Sequence, residues 1–187
     1  MHKTSIKQVA IIDSGKSFRK KPDIITSDGC WLIQMKDVSP EGLVQQPQSI
    51  SLNEVSHGQL LNYGDLIFVA KGKYNYAVVY DREHPATAVS LFFIIRPNLK
   101  QVDPWYLAWF LNSKRGQQYF DKFRMGSSVG NIRKSVLENM EIVLPNLEKQ
   151  HKVAKLSQLL QHERSLTEKY IEKRELLIDE SINSILL

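Results

Sequence analysis

The feature that most constrains this chain is its C-terminal segment. From Leu147 to Leu187, 41 residues, there is neither glycine nor proline. Nothing in that stretch breaks a helix, and as one helix it spans about 60 Å at 1.5 Å per residue. Apolar residues recur along it at Val153, Leu156, Leu160, Leu166, Tyr170, Leu177, Ile178, Ile182 and Ile185, with Glu163 and Arg174 interrupting the stripe. A preceding body of roughly 140 residues is too small to cover such a stripe along its whole length. The stripe therefore calls for a second long helix, and this sequence holds no other candidate. The partner helix is expected from another chain. The competing expectation is a helix kinked near Glu163 and folded back on its own domain.

Charge divides the chain at the same place. Residues 1–144 carry 18 Lys+Arg against 13 Asp+Glu, whereas residues 145–187 carry 7 of each, so the whole net charge of +5 sits in the front part. A basic globular part suits a polyanionic partner such as nucleic acid. At 42% apolar and 24% charged residues, this is an ordinary globular composition. No apolar run is long enough for a membrane helix, and Met1–Ala10 lacks the apolar core of a signal peptide, which leads to a cytoplasmic expectation. Cys30 is the single cysteine, so an internal disulfide and a multi-cysteine metal site are both excluded.

The front part reads as mixed α/β. Lys7–Asp13 reads as a short strand or helix edge, and Gly29–Met35 as a buried strand. Leu66–Ala70 and Tyr76–Tyr80, separated by Lys71–Asn75, read as a hairpin. Ala88–Arg96 reads as one further strand closed by Pro97. Asp103 and Pro104 supply an N-cap and a first-turn proline, opening a helix with Leu107, Phe110 and Leu111 on one face. A second helix is expected over Ser113–Phe123, a polar loop over Gly126–Asn131, a short turn or helix over Ile132–Leu137, and a strand over Met140–Leu144.

Catalytic constellations are missing. Gly15-Lys16-Ser17 has the end of a phosphate-binding loop, but that loop needs a glycine where Ala10 stands. The five histidines show no spacing that brings two imidazoles to one metal. The glycines of Gly126-Ser127-Ser128-Val129-Gly130 do not have the spacing of a serine nucleophile elbow. Cys30, beside Trp31 in an apolar run, suits a core thiol better than a nucleophile. No glycine-rich loop for S-adenosylmethionine is found, nor the Asn/Asp-Pro-Pro-Tyr/Phe tetrapeptide of base methylation. No cofactor is expected.

Three loops have the residue types that nucleic-acid binding needs: cations for phosphates, and Asn, Gln, Arg or Ser for base edges. The first holds Lys16, Ser17, Arg19, Lys20 and Lys21. The second holds Lys71, Lys73, Tyr74, Asn75 and Tyr76 at a hairpin tip. The third holds Arg124, Ser127, Ser128, Asn131, Arg133 and Lys134. Asn75, Asn131 and Arg133 are the expected base readers, since each can make paired hydrogen bonds to a base. Lys16, Arg19, Lys20, Lys71, Lys73, Arg124 and Lys134 are expected at phosphates. A coiled-coil interaction protein whose basic domain binds another protein is the alternative.

The order of motifs then resembles a family. Ser14-Gly15-Lys16-Ser17-Phe18-Arg19 is followed by Ile33-Gln34-Met35-Lys36-Asp37-Val38, by Tyr63-Gly64-Asp65-Leu66-Ile67-Phe68 and by Lys71-Gly72-Lys73. Asp103-Pro104-Trp105-Tyr106-Leu107-Ala108-Trp109-Phe110-Leu111-Asn112, Gly126-Ser127-Ser128 and Ile142-Val143-Leu144-Pro145-Asn146-Leu147-Glu148-Lys149-Gln150 complete the series. Together they resemble one target-recognition domain plus one helical region of the specificity (S) subunit of type I restriction-modification enzymes. The resemblance implies an α/β domain over residues 1–145, with a twisted, mainly antiparallel sheet and flanking helices. A long coiled-coil helix over 146–187 would serve as spacer and as part of a docking surface. The family's usual subunit has two such domains and two long helices packed antiparallel, so this chain resembles half of one. The resemblance further implies double-stranded DNA as ligand, no chemistry in this chain, and methyltransferase (M) and restriction (R) subunits as partners. It implies a homodimer reading an inverted, bipartite site. Pairing with a second half-subunit, and a fragment of a longer protein, remain open beside the homodimer.

Overall fold

A computed structural model describes residues 2–26, 29–43, 46–72, 74–124 and 131–186. The chain begins with strand β1 (His2–Ser5), a single helical turn α1 (Ile6–Val9) and strand β2 (Ala10–Ser14). Short strands follow: β3 (Ile24–Ile25), β4 (Cys30–Ile33), β5 (Val38–Ser39), β6 (Gly42–Leu43) and β7 (Gln48–Ile50). Then come β8 (Leu66–Val69), β9 (Ala77–Val79), β10 (Ala86–Ala88) and β11 (Phe92–Pro97). Helices α2 (Pro104–Asn112), α3 (Lys114–Arg124) and α4 (Lys134–Glu138) lead to β12 (Glu141–Leu144) and the long helix α5 (Leu147–Leu186).

Two four-stranded sheets carry the body, where the sequence suggested one. The first has the order β2-β11-β8-β9 and is antiparallel throughout. The second has the order β10-β4-β7-β3, with β10 parallel to β4 and the other pairs antiparallel. Strand β8 shows why its sequence, Leu-Ile-Phe-Val, is apolar without alternation. Leu66 and Phe68 face the core shared with α2 and α3, while Ile67 and Val69 face the core shared with the second sheet. A strand buried on both faces carries no polar beat. The layers are therefore helices, first sheet, second sheet.

The run Ala88–Arg96, expected as one strand, is two. The chain turns at Val89–Leu91, with Phe92 N donating to Val89 O at 3.0 Å, and passes from the second sheet to the first. Both halves are buried, so hydrophobicity alone does not mark the break. The helix start at Asp103 is as expected: its carboxylate accepts from Tyr106 N at 2.8 Å, and Pro104 takes the first turn. Gly64, at φ +89°, occupies the turn before β8, where a side chain would be strained.

One long helix forms, and its base is fixed to the body. Gln150 is fully buried; its amide donates to Gln101 O and Pro145 O, and its oxygen accepts from Asp103 N. Ala154 joins the core, and Val153 packs against it. Val153, expected at a dimer interface, therefore belongs to its own domain's packing. Among the described residues, Gln161 makes the last hydrogen bond from the helix to the body, donating to Pro40 O at 3.2 Å. Beyond it, residues 166–186 are all exposed, about 30 Å of helix. The fold-back expectation fails there.

Candidate nucleic-acid interface

Strands β2 and β8 both run antiparallel to β11, on its two sides, so they run parallel to each other. Ser14 pairs with Phe93 and Val69 with Phe92, which brings both strands to an end at the same edge of the sheet. Two basic loops must then leave the sheet side by side, about 10 Å apart at two strand spacings. Their roots are hydrogen-bonded to one short stretch. Gly15 N donates to Phe92 O and Lys16 N to Ala88 O; Ala70 N and Lys71 N both donate to Leu91 O. Gly15 permits this crossing, because a Cβ there would lie 2.2 Å from Val89 O.

The third basic segment returns to the same place. Lys71 and Asn131 form an antiparallel bridge, and Ile132 N donates to Ala70 O at 2.9 Å. Residues far apart in sequence thus share one end of the sheet: Lys16, Lys71 and Asn131, with Tyr74, Arg133 and Lys134 close to them in sequence, while Arg19 and Lys20 lie further along the first loop, past Phe18, which packs against the second sheet; all but Lys16 are exposed. Among the described residues, Arg19, Lys20, Lys71 and Arg133 carry no ion pair, whereas Lys134 lies 3.7 Å from Glu138. Lys16 is half-buried, with its ammonium 3.4 Å from Gln59 Oε1 and 5.1 Å from the Phe18 ring centroid. Lys73, Ser127 and Ser128 lie outside the described residues.

Two expected contact residues have other work. Asn75, expected to read a base, is 1% exposed; its Nδ2 donates to Val69 O at 2.8 Å and to Ala70 O at 3.3 Å. Arg124, expected at a phosphate, is half-buried. Its Nε donates to Asn75 Oδ1 at 2.7 Å, with Asp121 and Gln117 on its terminal nitrogens. Sequence reasoning did not single out Gln117, whose amide donates to Asn75 O and Leu111 O. It also passed over Asn112, which makes a two-way pair with the Ala77 backbone. A signal existed for Asn112: it is the one amide side chain of a helix otherwise made of aromatic and aliphatic residues.

The inner face of the sheet holds an arginine hub. Arg96 donates to Asp65 and Asp13 carboxylates and to the carbonyls of Gly58 and Leu60, which ties the residue before β8 to the later part of β2 and to the 58–60 segment. Burial is the main cause of a raised Asp65 pKa, with Arg96 and the Asn62 N–H acting against it. Cys30 is buried, and desolvation pushes its thiol up to about 11. Such a thiol is protonated and inert at neutral pH. Among the described residues, no group of three His, Cys, Asp or Glu could hold a metal ion, and no helix is long and apolar enough to cross a membrane.

Along the β9 edge of the first sheet, a groove of about 800 Å³ runs between the start of α5, α2, β9 and the β5–β6 hairpin. Leu156 and Leu160 line it and are 67% and 48% exposed. The apolar stripe continues beyond the groove along the free half of the helix, through Leu166, Tyr170, Leu177, Ile178, Ile182 and Ile185, each at least 48% exposed.

The body thus joins two sheets to a long free helix and carries two basic loops side by side at one edge of the first sheet. The chain belongs to the family described as the type I restriction modification DNA specificity domain, which matches residues 1–174. Its fold is similar to that of the HsdS subunit from Thermoanaerobacter tengcongensis: TM-score 0.68 at 16% identity, covering 90% of this chain and 39% of that one. It is also similar to a chain in a structure describing complex assembly and conformational transition of the type I R-M system. There the TM-score is 0.70 at 18% identity, covering 92% and 41%. The S subunit of a type I restriction-modification system from M. genitalium gives TM-score 0.61 at 18% identity, covering 96% and 44%. The chain therefore spans about two fifths of the length of the solved chains it matches. Comparison with curated protein sequences returns no significant match.

Proposed function

We propose that the chain is a non-catalytic DNA-recognition subunit of a type I restriction-modification system and works as a two-fold dimer. Residues 1–145 form the recognition unit and 146–187 the pairing helix. The observation that carries the reading is the convergence of three basic segments on one end of the first sheet, held there by hydrogen bonds to Leu91, Phe92 and Ala70. Exposed Arg19, Lys20, Lys71, Arg133 and Lys134, with Lys16 behind them, supply phosphate contacts. Asn131 and Arg133 are the base-reading residues in this account.

The free helix supports the dimer. Residues 147–169 hold five basic and three acidic side chains; residues 170–187 hold two basic and four acidic. Antiparallel pairing sets the two signs against each other, while parallel pairing sets like against like. A pairing centred near residue 170 brings Ile185 and Ile182 of one copy opposite Leu156 and Leu160 of the other. Two recognition units then sit at opposite ends of a fixed spacer, and a two-part, inverted DNA site follows from the symmetry. In this reading the chain needs no cofactor of its own; methyltransferase and restriction subunits supply the chemistry, in the cytoplasm where the DNA is.

Charge reversal of the loops tests the reading. Lys71→Glu with Arg133→Glu abolishes duplex binding in 0.1 M salt while leaving the solution mass unchanged. If the variant binds DNA like the parent, the sheet end is not the interface. Loss of a bound protein instead of DNA would favour a protein-interaction module.

A further inference from the structure

The strongest unassigned feature is the buried polar cluster at the root of the β8–β9 loop. Asn75 uses its side chain fully: Nδ2 holds the Val69 and Ala70 carbonyls, and Oδ1 accepts from Arg124 at 2.7 Å. Its own carbonyl accepts from Gln117 Nε2 at 2.9 Å. Gln117 Oε1 closes the ring by accepting from Arg124 at 3.3 Å, and Asp121 Oδ1 lies 2.9 Å from the same guanidinium. The last residue of α3 is thus fastened to one side of the loop. On the other side, where the chain returns at Asn131 and Ile132, it bridges Lys71 and donates to Ala70 O.

We infer that Arg124, Asn75 and Gln117 are positioning residues for DNA recognition: they hold the two roots of the β8–β9 loop, at Val69–Lys71 and at Asn75, against the end of α3 and so set the place of the Asn131–Ile132 return beside Lys71. This deepens the proposed function and rests on it. Two observations favour positioning over direct contact. The guanidinium already has three acceptors, one of them the Asp121 carboxylate, and Asn75 is buried. Ala70 O is the shared point, accepting from Asn75 on one side and from Ile132 N on the other. A change in the cluster therefore moves Lys71 and Asn131 together. Arginine suits the task because its planar fork serves several acceptors at fixed angles, which a lysine ammonium cannot do.

The test uses the full-length chain with Arg124→Lys, Arg124→Gln, Asn75→Ala and the double variant Asn75→Ala/Arg124→Gln. Each is bound to a pool of randomised duplexes, bound DNA is sequenced, and affinity for the selected and random duplexes is measured across a salt series. Thermal unfolding checks the fold. Positioning predicts that Arg124→Lys, despite keeping its charge, loses site-over-random preference by about tenfold, the discrimination of one well-read base pair. The salt slope stays at the parent value, and the double variant is no worse than Arg124→Gln alone. A phosphate contact predicts the reverse: Arg124→Lys behaves like the parent and Arg124→Gln lowers the salt slope by about one. That result overturns the inference, as do additive effects of the two single variants. The conservative, partly exposed Arg124→Lys keeps the test decisive if Asn75→Ala does not fold. A parent chain that selects no sequence overturns the underlying function and the inference with it; a parent that selects one, with variants that select it equally well, overturns the inference alone.

Discussion

Replacing Leu177 and Ile178 with glutamine tests the pairing helix without disturbing the helix itself, because glutamine is a good helix former and adds no charge. Leu177 is 61% and Ile178 50% exposed. Full burial of such a side chain stabilises by about 1.5–3 kcal/mol, so covering the exposed half is worth about 1–1.5 kcal/mol each. A symmetric dimer buries four of them, about 4–6 kcal/mol in all. The double variant L177Q/I178Q should therefore raise the dimer dissociation constant by about 10³ to 10⁴. Light scattering over a dilution series reads this directly: the parent holds twice 21.6 kDa at micromolar concentration, and the variant holds 21.6 kDa. Far-ultraviolet circular dichroism should show the same helix content per chain at concentrations where both are folded. A variant that keeps the dimer mass down to the same concentration as the parent, or a parent that is monomeric throughout, refutes the argument that this stripe is covered by a second copy.

Two further predictions concern the body. Gly15→Ala places a Cβ 2.2 Å from Val89 O, so the first basic loop must shift at its root; duplex affinity should fall at least severalfold, with a loss of a few °C in Tm, and an unchanged affinity would separate that loop from binding. Burial raises Cys30 from 9.0 to about 11, so the native chain keeps a proton there that the unfolded chain has lost. This contribution to stability is complete below pH 9 and declines by about 1.4 kcal/mol per pH unit between pH 9 and 11. Denaturant titrations at those two values should show the decline, reduced in Cys30→Ala.

The sequence was readable where one local rule had no competitor. Asp103–Pro104 announced a helix because cap and first-turn proline agree, and the Gly- and Pro-free run from Leu147 had nothing to stop it. The hairpin of β8 and β9 was legible from its turn between apolar runs. Ala88–Arg96 was not, because both halves are buried and the sheet change at Val89–Leu91 falls inside an apolar stretch. Asn75 shows the limit for the site. Between Tyr74 and Tyr76 in a basic loop, an asparagine that reads bases and one that satisfies Val69 and Ala70 carbonyls look alike; only its burial distinguishes them. Val153 gave the same ambiguity on the helix, where an apolar stripe does not say which turn faces its own domain. That the three basic loops meet depends on β2 and β8 flanking β11, a pairing that no local pattern records.

The central claim is that this chain selects a DNA sequence through the end of its first sheet. The most direct measurement is selection from randomised duplexes by the full-length protein, followed by sequencing of the bound fraction and titration of the winner in 0.1 and 0.2 M salt. The account predicts an enriched motif of two inverted halves separated by a fixed gap, bound more weakly at the higher salt. An unenriched pool, or binding indifferent to both sequence and salt, would contradict it.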